Sequence, residues 1–291
     1  MVITEDLINQ FIKAWQSKEV AANTVKSYAG DLKALCIYMD GKEVTRDKML
    51  EYKTYLAGKY KTETANHRLR TANLFYKFSH FDGMEVKPVP VKRNLTPDNL
   101  MNISDLDRVL RYADKRNRQQ TYAIIETLVG TGIRFSELKY ITVEAVKAGK
   151  ATVENKGAIR DVPLAAVKKI LLTYCQDHSI KTGIIFRTRN GTPISNSQLS
   201  RDLKSIAGHA RVNKKKIHPH AFRHLFAINF LQSGGVLTAL KDILGHKSLD
   251  TTSIYTRTTA KQLGQEMAAT SILKHIKQKG RGQHGHKGDR L

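Results

Sequence analysis

The densest concentration of chemistry-bearing residues is Lys214-Lys215-Lys216-Ile217-His218-Pro219-His220-Ala221-Phe222-Arg223-His224. A helix starting near His220 sets His220 and Arg223 one turn apart on one face. Such a pair can hold a single anionic group, with arginine offering a planar fork of donors and histidine either a further donor or a proton shuttle. His218, His220 and His224 also raise a metal site, because 220 and 224 are spaced i, i+4. Against it, His218 stands in extended backbone before Pro219, Arg223 puts a positive charge among the ligands, and no carboxylate lies near in sequence. No metal is therefore expected. Further along, Asp242-Ile243-Leu244-Gly245-His246 reads as a helix stopped by Gly245. The next helix opens on the capping residues Asp250-Thr251-Thr252 and carries Tyr255. Upstream, Gly130-Thr131-Gly132-Ile133-Arg134-Phe135-Ser136-Glu137 ends one helix and starts another, with Arg134 at the junction. It lacks the Lys-Ser/Thr ending of a phosphate loop, and no dinucleotide fingerprint is present, so ATP and nicotinamide chemistry lose support.

The elements that must position these residues follow from periodicity. Four apolar stripes at helical spacing, near 4–17, 22–40, 45–57 and 62–80, predict a small helical domain, with Asn23 or Thr24 as a cap for the second. Trp15, Tyr28 and Phe75 read as its core aromatics. The proline-rich stretch from Val86 to Pro97 favours extended backbone and reads as an interdomain linker. Beyond it, helical periods near 103–117, 119–130 and 134–140 lead into short β-like runs at 151–154 and 159–164, with Asn155-Lys156-Gly157 as the turn between them. A second hairpin is expected over 184–194, around Asn190-Gly191. Helices resume near 196–209, 220–233, 236–244, 250–257 and 260–278, and the chain ends in a basic, Gly- and His-rich tail expected to be disordered.

Charge narrows the partners. The 291 residues hold 49 Lys+Arg against 26 Asp+Glu, a net charge of +23. Residues 1–85 contribute only +2 and residues 86–291 contribute +21. A charge so concentrated points to a polyanion, since each cation placed on a phosphate releases counterions. No run approaches the roughly 20 apolar residues of a membrane span, and Met1 to Asp6 lack the pattern of a signal peptide. A cytoplasmic protein without a membrane partner is expected. Cys36 and Cys175 lie far apart in apolar helical contexts and suggest neither a disulfide nor a zinc site.

Taken in order, Arg134, Lys156, His220-x-x-Arg223, His246 and Tyr255 resemble the tyrosine recombinase (phage integrase) family. The local matches are GTGIRFSEL around Arg134, Lys156 in a hairpin turn ahead of Val162-Pro163-Leu164, HPHAFRHLFA around His220 and Arg223, and ILGHKSLDTTSIYT from His246 to Tyr255. The gaps are similar too: 86 residues from Arg134 to His220, 23 from Arg223 to His246, nine from His246 to Tyr255.

The resemblance implies a mainly α fold with small β-hairpins. It comprises a helical core-binding domain (1–85), a linker (86–101), an α+β catalytic domain (102–279) and a basic flexible tail (280–291), closing as a C-shaped clamp on duplex DNA. It implies a site-specific recombinase in which Tyr255 is the nucleophile, giving a 3′-phosphotyrosyl link and a 5′-hydroxyl. A covalent intermediate conserves the energy of the broken bond. Arg134 and Arg223 would hold the non-bridging oxygens in the transition state. Lys156 would protonate the leaving oxygen, and His220 would assist proton removal from Tyr255. His246 would hydrogen-bond the phosphate and brace the site, and Glu137 would orient a positively charged neighbour. Neither metal nor ATP is expected.

The implied partners are double-stranded DNA with inverted-repeat core sites, a homotetramer formed at synapsis with the helix near 260–278 docking on a neighbour, and accessory DNA-bound subunits. The helical region begins almost at Met1, which leaves no room for an arm-binding domain of the phage lambda type. The Lys156 hairpin is about one residue shorter than in chromosome-dimer resolvases, and with the basic tail this favours resolution or excision of mobile-element DNA, in a transposon cointegrate or plasmid. A phage-type integrase or a chromosome-dimer resolvase is the alternative. A type IB topoisomerase or telomere resolvase shares the chemistry, and a non-catalytic DNA-binding protein is the reading from another class.

Overall fold

The computed structural model describes residues 2–91, 100–155, 157–246, 248, 249, 252 and 255. The middle of the expected linker, Lys156, most of the expected helix 250–257, the helix near 260–278 and the tail 280–291 lie outside the described residues. The chain divides into two compact units, Met1–Arg93 and Asn94–Leu291.

The first unit contains α1 (Glu5–Ser17), α2 (Ala22–Met39), α3 (Arg46–Lys59) and α4 (Thr62–Phe78). Thr4 and Thr45 cap α1 and α3 by accepting from Leu7 N and Lys48 N. α2 starts without a side-chain cap: Ala21 is the boundary residue, and Asn23 and Thr24 fall inside the first turn. The core gathers Phe11, Leu32, Met49, Leu56, Leu69 and Phe75. Phe75 is fully buried, while Trp15 and Tyr28 are half-buried, with ring centroids 5.8 Å apart and each near Phe11.

The expected linker begins as part of this unit. Asn73 donates to Val86 O (3.0 Å) and accepts from Val86 N (3.1 Å). Two turns earlier on α4, Asn66 does the same with Val89 O (2.9 Å) and Val89 N (2.7 Å). Prolines keep this backbone extended, so two asparagine amides can pair with it as a neighbouring strand would, and Val86 is buried.

The second unit contains α5 (Ile103–Lys115), α6 (Gln119–Thr131), a 3-10 helix (Phe135–Tyr140), α7 (Val143–Ala148), β1 (Lys150–Asn155), β2 (Ala158–Pro163), α8 (Lys168–Asp177), α9 (Asn196–His209), α10 (Pro219–Gln232) and α11 (Leu237–Leu244). Asn102 and Asp105 form a capping box on α5. β1 and β2 pair antiparallel, from Lys150 opposite Pro163 to Asn155 opposite Ala158. The architecture is mainly helical with this small sheet, in line with the expected fold class.

The structure adds two elements and corrects one expectation. α7 was not anticipated, because it is only six residues long before Gly149 stops it. α8 was not anticipated either, since its buried face is just Leu171, Tyr174 and Cys175. The hairpin over 184–194 forms its turn, with Thr188 N donating to Thr192 O (2.7 Å) and Ile194 N to Phe186 O (3.2 Å), but its arms pair only at the isolated bridge between Arg187 and Pro193. Pro193 has no N–H to lengthen this pairing into a strand, and Ile185 N donates outside the hairpin, to Ile141 O (3.2 Å). Among the described residues no helix is long and apolar enough to cross a membrane.

α6 and α10 set the geometry of the site. α6 ends at Gly132 with φ +64°, where a Cβ would lie 2.4 Å from Phe226 Cδ1 on α10, so only glycine permits both the turn and the close approach.

Candidate active site

α11 ends at Gly245 in the left-handed conformation, and the last carbonyls of a helix lack donors from their own helix. Here three arginines supply them at consecutive positions. Arg160 Nε donates to Ile243 O (3.1 Å), Arg223 Nη2 to Leu244 O (2.6 Å) and Arg134 Nη2 to Gly245 O (3.2 Å). They come from β2, α10 and the residue before the 3-10 helix. The partial negative charge at a helix C-terminus offsets some of their mutual repulsion.

Glu137 neutralises part of the rest. It is buried on the 3-10 helix; its Oε1 accepts from Arg134 Nη1 (2.9 Å) and Arg160 Nη1 (3.0 Å). Its Oε2 accepts from Arg134 N (3.0 Å) and Arg160 Nη2 (2.8 Å). Burial works to raise its pKa, but hydrogen bonds from Arg160 and Arg134 outweigh it and hold the carboxyl at about 2.

α10 begins near His220, as expected; Pro219 stands in its first turn and His218 caps it, its Nδ1 accepting from Ala221 N (3.2 Å). His220 is exposed and Arg223, one turn on, is buried. Arg223 Nη1 donates to Gly132 O (2.7 Å), so the residue is anchored at the ends of both α6 and α11. Burial, then the nearby Arg134, lowers the Arg223 pKa to about 10, leaving it charged at neutral pH. The His220 pKa is lowered by partial burial and by the fields of Arg223 and Arg134.

His246 follows α11 directly. Its Nε2 lies 3.0 Å from Arg223 Nη2 and its Nδ1 lies 2.8 Å from Thr252 Oγ1. A guanidinium only donates, so Nε2 accepts and the ring proton sits on Nδ1, donated to Thr252. Burial and the fields of Arg223, Arg134 and Arg160 depress its pKa to about 4. Tyr255 is half-buried against the cluster of Ala227, Leu240 and Leu244, stacked on His246 (6.3 Å, 15°) and edge-on to His224 (5.1 Å, 62°). Burial raises the Tyr255 pKa, with Arg223 acting against it.

The structure thus brings together Arg134, Glu137, His220, Arg223, His246 and Tyr255, while Lys156, between β1 and β2 in sequence, lies outside the described residues. Sequence reading missed Arg160, His224 as a neighbour of Tyr255, and Thr252 as a partner of His246. Arg160 had a signal: it shares a strand face with buried Val162, and an inward-facing charge demands a partner. Among the described residues no group of three His, Cys, Asp or Glu side chains could hold a metal ion.

A guanidinium cluster beside a tyrosine is the arrangement of a phosphoryl-transfer site, because each guanidinium carries five donors and keeps some beyond those already bonded. Residues 94–262 match the phage integrase family, and residues 8–80 match its N-terminal SAM-like domain. The chain is 29% identical over 272 residues to tyrosine recombinase XerD of Rhizobium meliloti, covering 84% of this chain and 87% of the relative. It is 28% identical over 284 residues to tyrosine recombinase XerC of Oceanobacillus iheyensis, covering 88% and 92%. Among solved structures, a lambda integrase dimer bound to a core site aligns with TM-score 0.74 at 15% identity, covering 99% of this chain and 98% of that one. The Tn1549 transposon integrase in complex with transposon right end DNA aligns with TM-score 0.72 at 18% identity, covering 91% and 99%. The chain belongs to the phage integrase family. It is a tyrosine site-specific recombinase, which cleaves and rejoins DNA.

Proposed function

We propose that Tyr255 attacks the scissile phosphodiester, forming a 3′-phosphotyrosyl link and releasing a 5′-hydroxyl. The observation that carries this reading is Arg223, anchored on Gly132 O and Leu244 O and in contact with His246, on which Tyr255 stacks. Arg134 and Arg223 receive the non-bridging oxygens with their remaining donors. Tyr255 is protonated at neutral pH, since burial raises a pKa ordinarily about 10, so a base is needed. His220 fits: its lowered pKa keeps it neutral and able to accept a proton. Lys156 is assigned the protonation of the leaving oxygen. His246 has no proton on Nε2 in its present tautomer, so we assign it to bracing Arg223 rather than to donating to the phosphate.

The charge developing on phosphorus is met by guanidinium groups and the bond energy is kept in the tyrosyl ester, so the reaction needs neither metal nor ATP; chelators should leave it unchanged. We further propose that the protein acts in the cytoplasm as a homotetramer on paired inverted-repeat core sites, with accessory DNA-bound subunits, and that it resolves or excises mobile-element DNA. The short Lys156 hairpin and the Gly/His/basic composition of residues 280–291 support the mobile-element assignment.

The test is a supercoiled plasmid carrying two direct copies of the site that the protein selects from random-sequence DNA. Two product circles are expected. Relaxation without exchange would mean topoisomerase action, and binding without cleavage would mean a DNA-binding protein only.

A further inference from the structure

Arg160 lies in β2 with its side chain 14% exposed, and each of its three guanidinium nitrogens donates to a partner inside the protein. Nη1 and Nη2 take both oxygens of Glu137, at 3.0 and 2.8 Å, and Nε takes Ile243 O at 3.1 Å. The same two carboxylate oxygens receive Arg134 Nη1 and Arg134 N. One negative charge is therefore shared between two guanidiniums, and the carboxylate cannot rotate away from either.

Two consequences follow for Arg134. Its direction is fixed by a carboxylate that Arg160 holds in a bidentate grip. Its charge is only partly neutralised, because Glu137 also answers to Arg160; without Arg160, the pair of Arg134 and Glu137 would be neutral and would attract a phosphate less. Lysine could restore the charge but not the planar fork. Gly245 completes the arrangement, since its carbonyl accepts from Arg134 while a Cβ there would lie 2.9 Å from Arg160 Cδ and Nη1.

We propose that Arg160 is a positioning residue of the phosphate clamp, aiming Arg134 through Glu137 and keeping it electropositive, without touching DNA itself. This rests on the reading of Arg134 as a ligand of the scissile phosphate.

The test compares wild type, R134A, R160M and R160K on a nicked duplex bearing the selected site, with either a phosphate or an uncharged methylphosphonate at the scissile position. On phosphate, R160M should form covalent adduct about 100-fold more slowly, the scale of losing one oxyanion donor, with R160K in between and affinity for the duplex retained. On methylphosphonate, which has no anionic oxygen to clamp, R134A and both Arg160 variants should recover to within about 10-fold of wild type, well inside the first loss. Recovery of R134A without recovery of R160M and R160K would overturn the positioning role and leave Arg160 a structural residue. Failure of R134A itself to recover would overturn the clamp reading on which the inference rests. Unchanged rates on phosphate for R160M would overturn the inference directly.

Discussion

Arg223 donates from Nη2 to Nε2 of His246 across 3.0 Å, and this contact fixes the protonation of the imidazole. Because an arginine cannot accept, the ring must be neutral with its proton on Nδ1, facing Thr252 Oγ1 at 2.8 Å. Nitrogen-15 spectra of labelled histidine should show the Nδ1–H form between pH 6 and 8 and titration near pH 4, the value to which burial and three arginines depress the group. Thr252→Val should release this tautomer. An Nε2–H ring in the intact protein would contradict the bracing role.

Acid should destabilise the catalytic unit in two steps. The folded His246 binds a proton only near pH 4, whereas an unfolded histidine binds one near its ordinary value of about 6.5. The unfolded state takes the proton first, so stability falls between those limits as pH drops. Glu137 behaves as a depressed carboxylate: its contribution is complete above about 4.5 and is lost as pH falls toward 2. Nearly fully buried, it accounts for on the order of 3 kcal/mol at neutral pH. Thermal unfolding across pH 3 to 8 should show both losses, and Glu137→Gln should remove the lower one while destabilising the protein throughout.

Cleavage should share an acid limb set by His220. Its pKa is lowered by partial burial, Arg223 and Arg134, so the limb should lie below the ordinary histidine range, with the rate rising as pH increases through it. His220→Gln should flatten that limb and slow adduct formation by about 100-fold, a typical contribution of general base catalysis. A limb surviving in the variant would assign the base elsewhere.

Gly245→Ala tests how tightly the arginines are packed. The residue has φ +63°, where an L side chain costs about 1–2 kcal/mol, and its Cβ would meet Arg160 rather than open space. We expect a lower unfolding temperature together with a loss of adduct formation larger than any loss of DNA affinity. Wild-type cleavage in this variant would show that Arg160 can shift without consequence.

Much of this site is legible in the amino-acid sequence. His220 and Arg223 follow from helical spacing, Gly245 from its place after an apolar helix, and Arg134 from a helix junction. What spacing could not reveal is the third dimension. The pairing of Arg160 with Glu137 spans 23 residues, and the grip of Arg223 on Gly132 O spans 91. Thr252 reads locally as a helix cap, yet its hydroxyl serves a histidine six residues earlier. In the fold, the losses were α7 and α8, too short or too sparsely buried to show a stripe, and the start of the linker, whose attachment to α4 depends on Asn66 and Asn73.

The central claim is that Tyr255 becomes covalently joined to DNA, and the most direct measurement is to trap that adduct and map it. On a nicked duplex bearing the selected site, the intact protein should yield a complex resistant to denaturation, with the nucleotide on the peptide containing Tyr255. Tyr255→Phe should bind the same duplex with unchanged affinity and give no adduct. Adduct in the phenylalanine variant, or nucleotide on any other residue, would contradict the account.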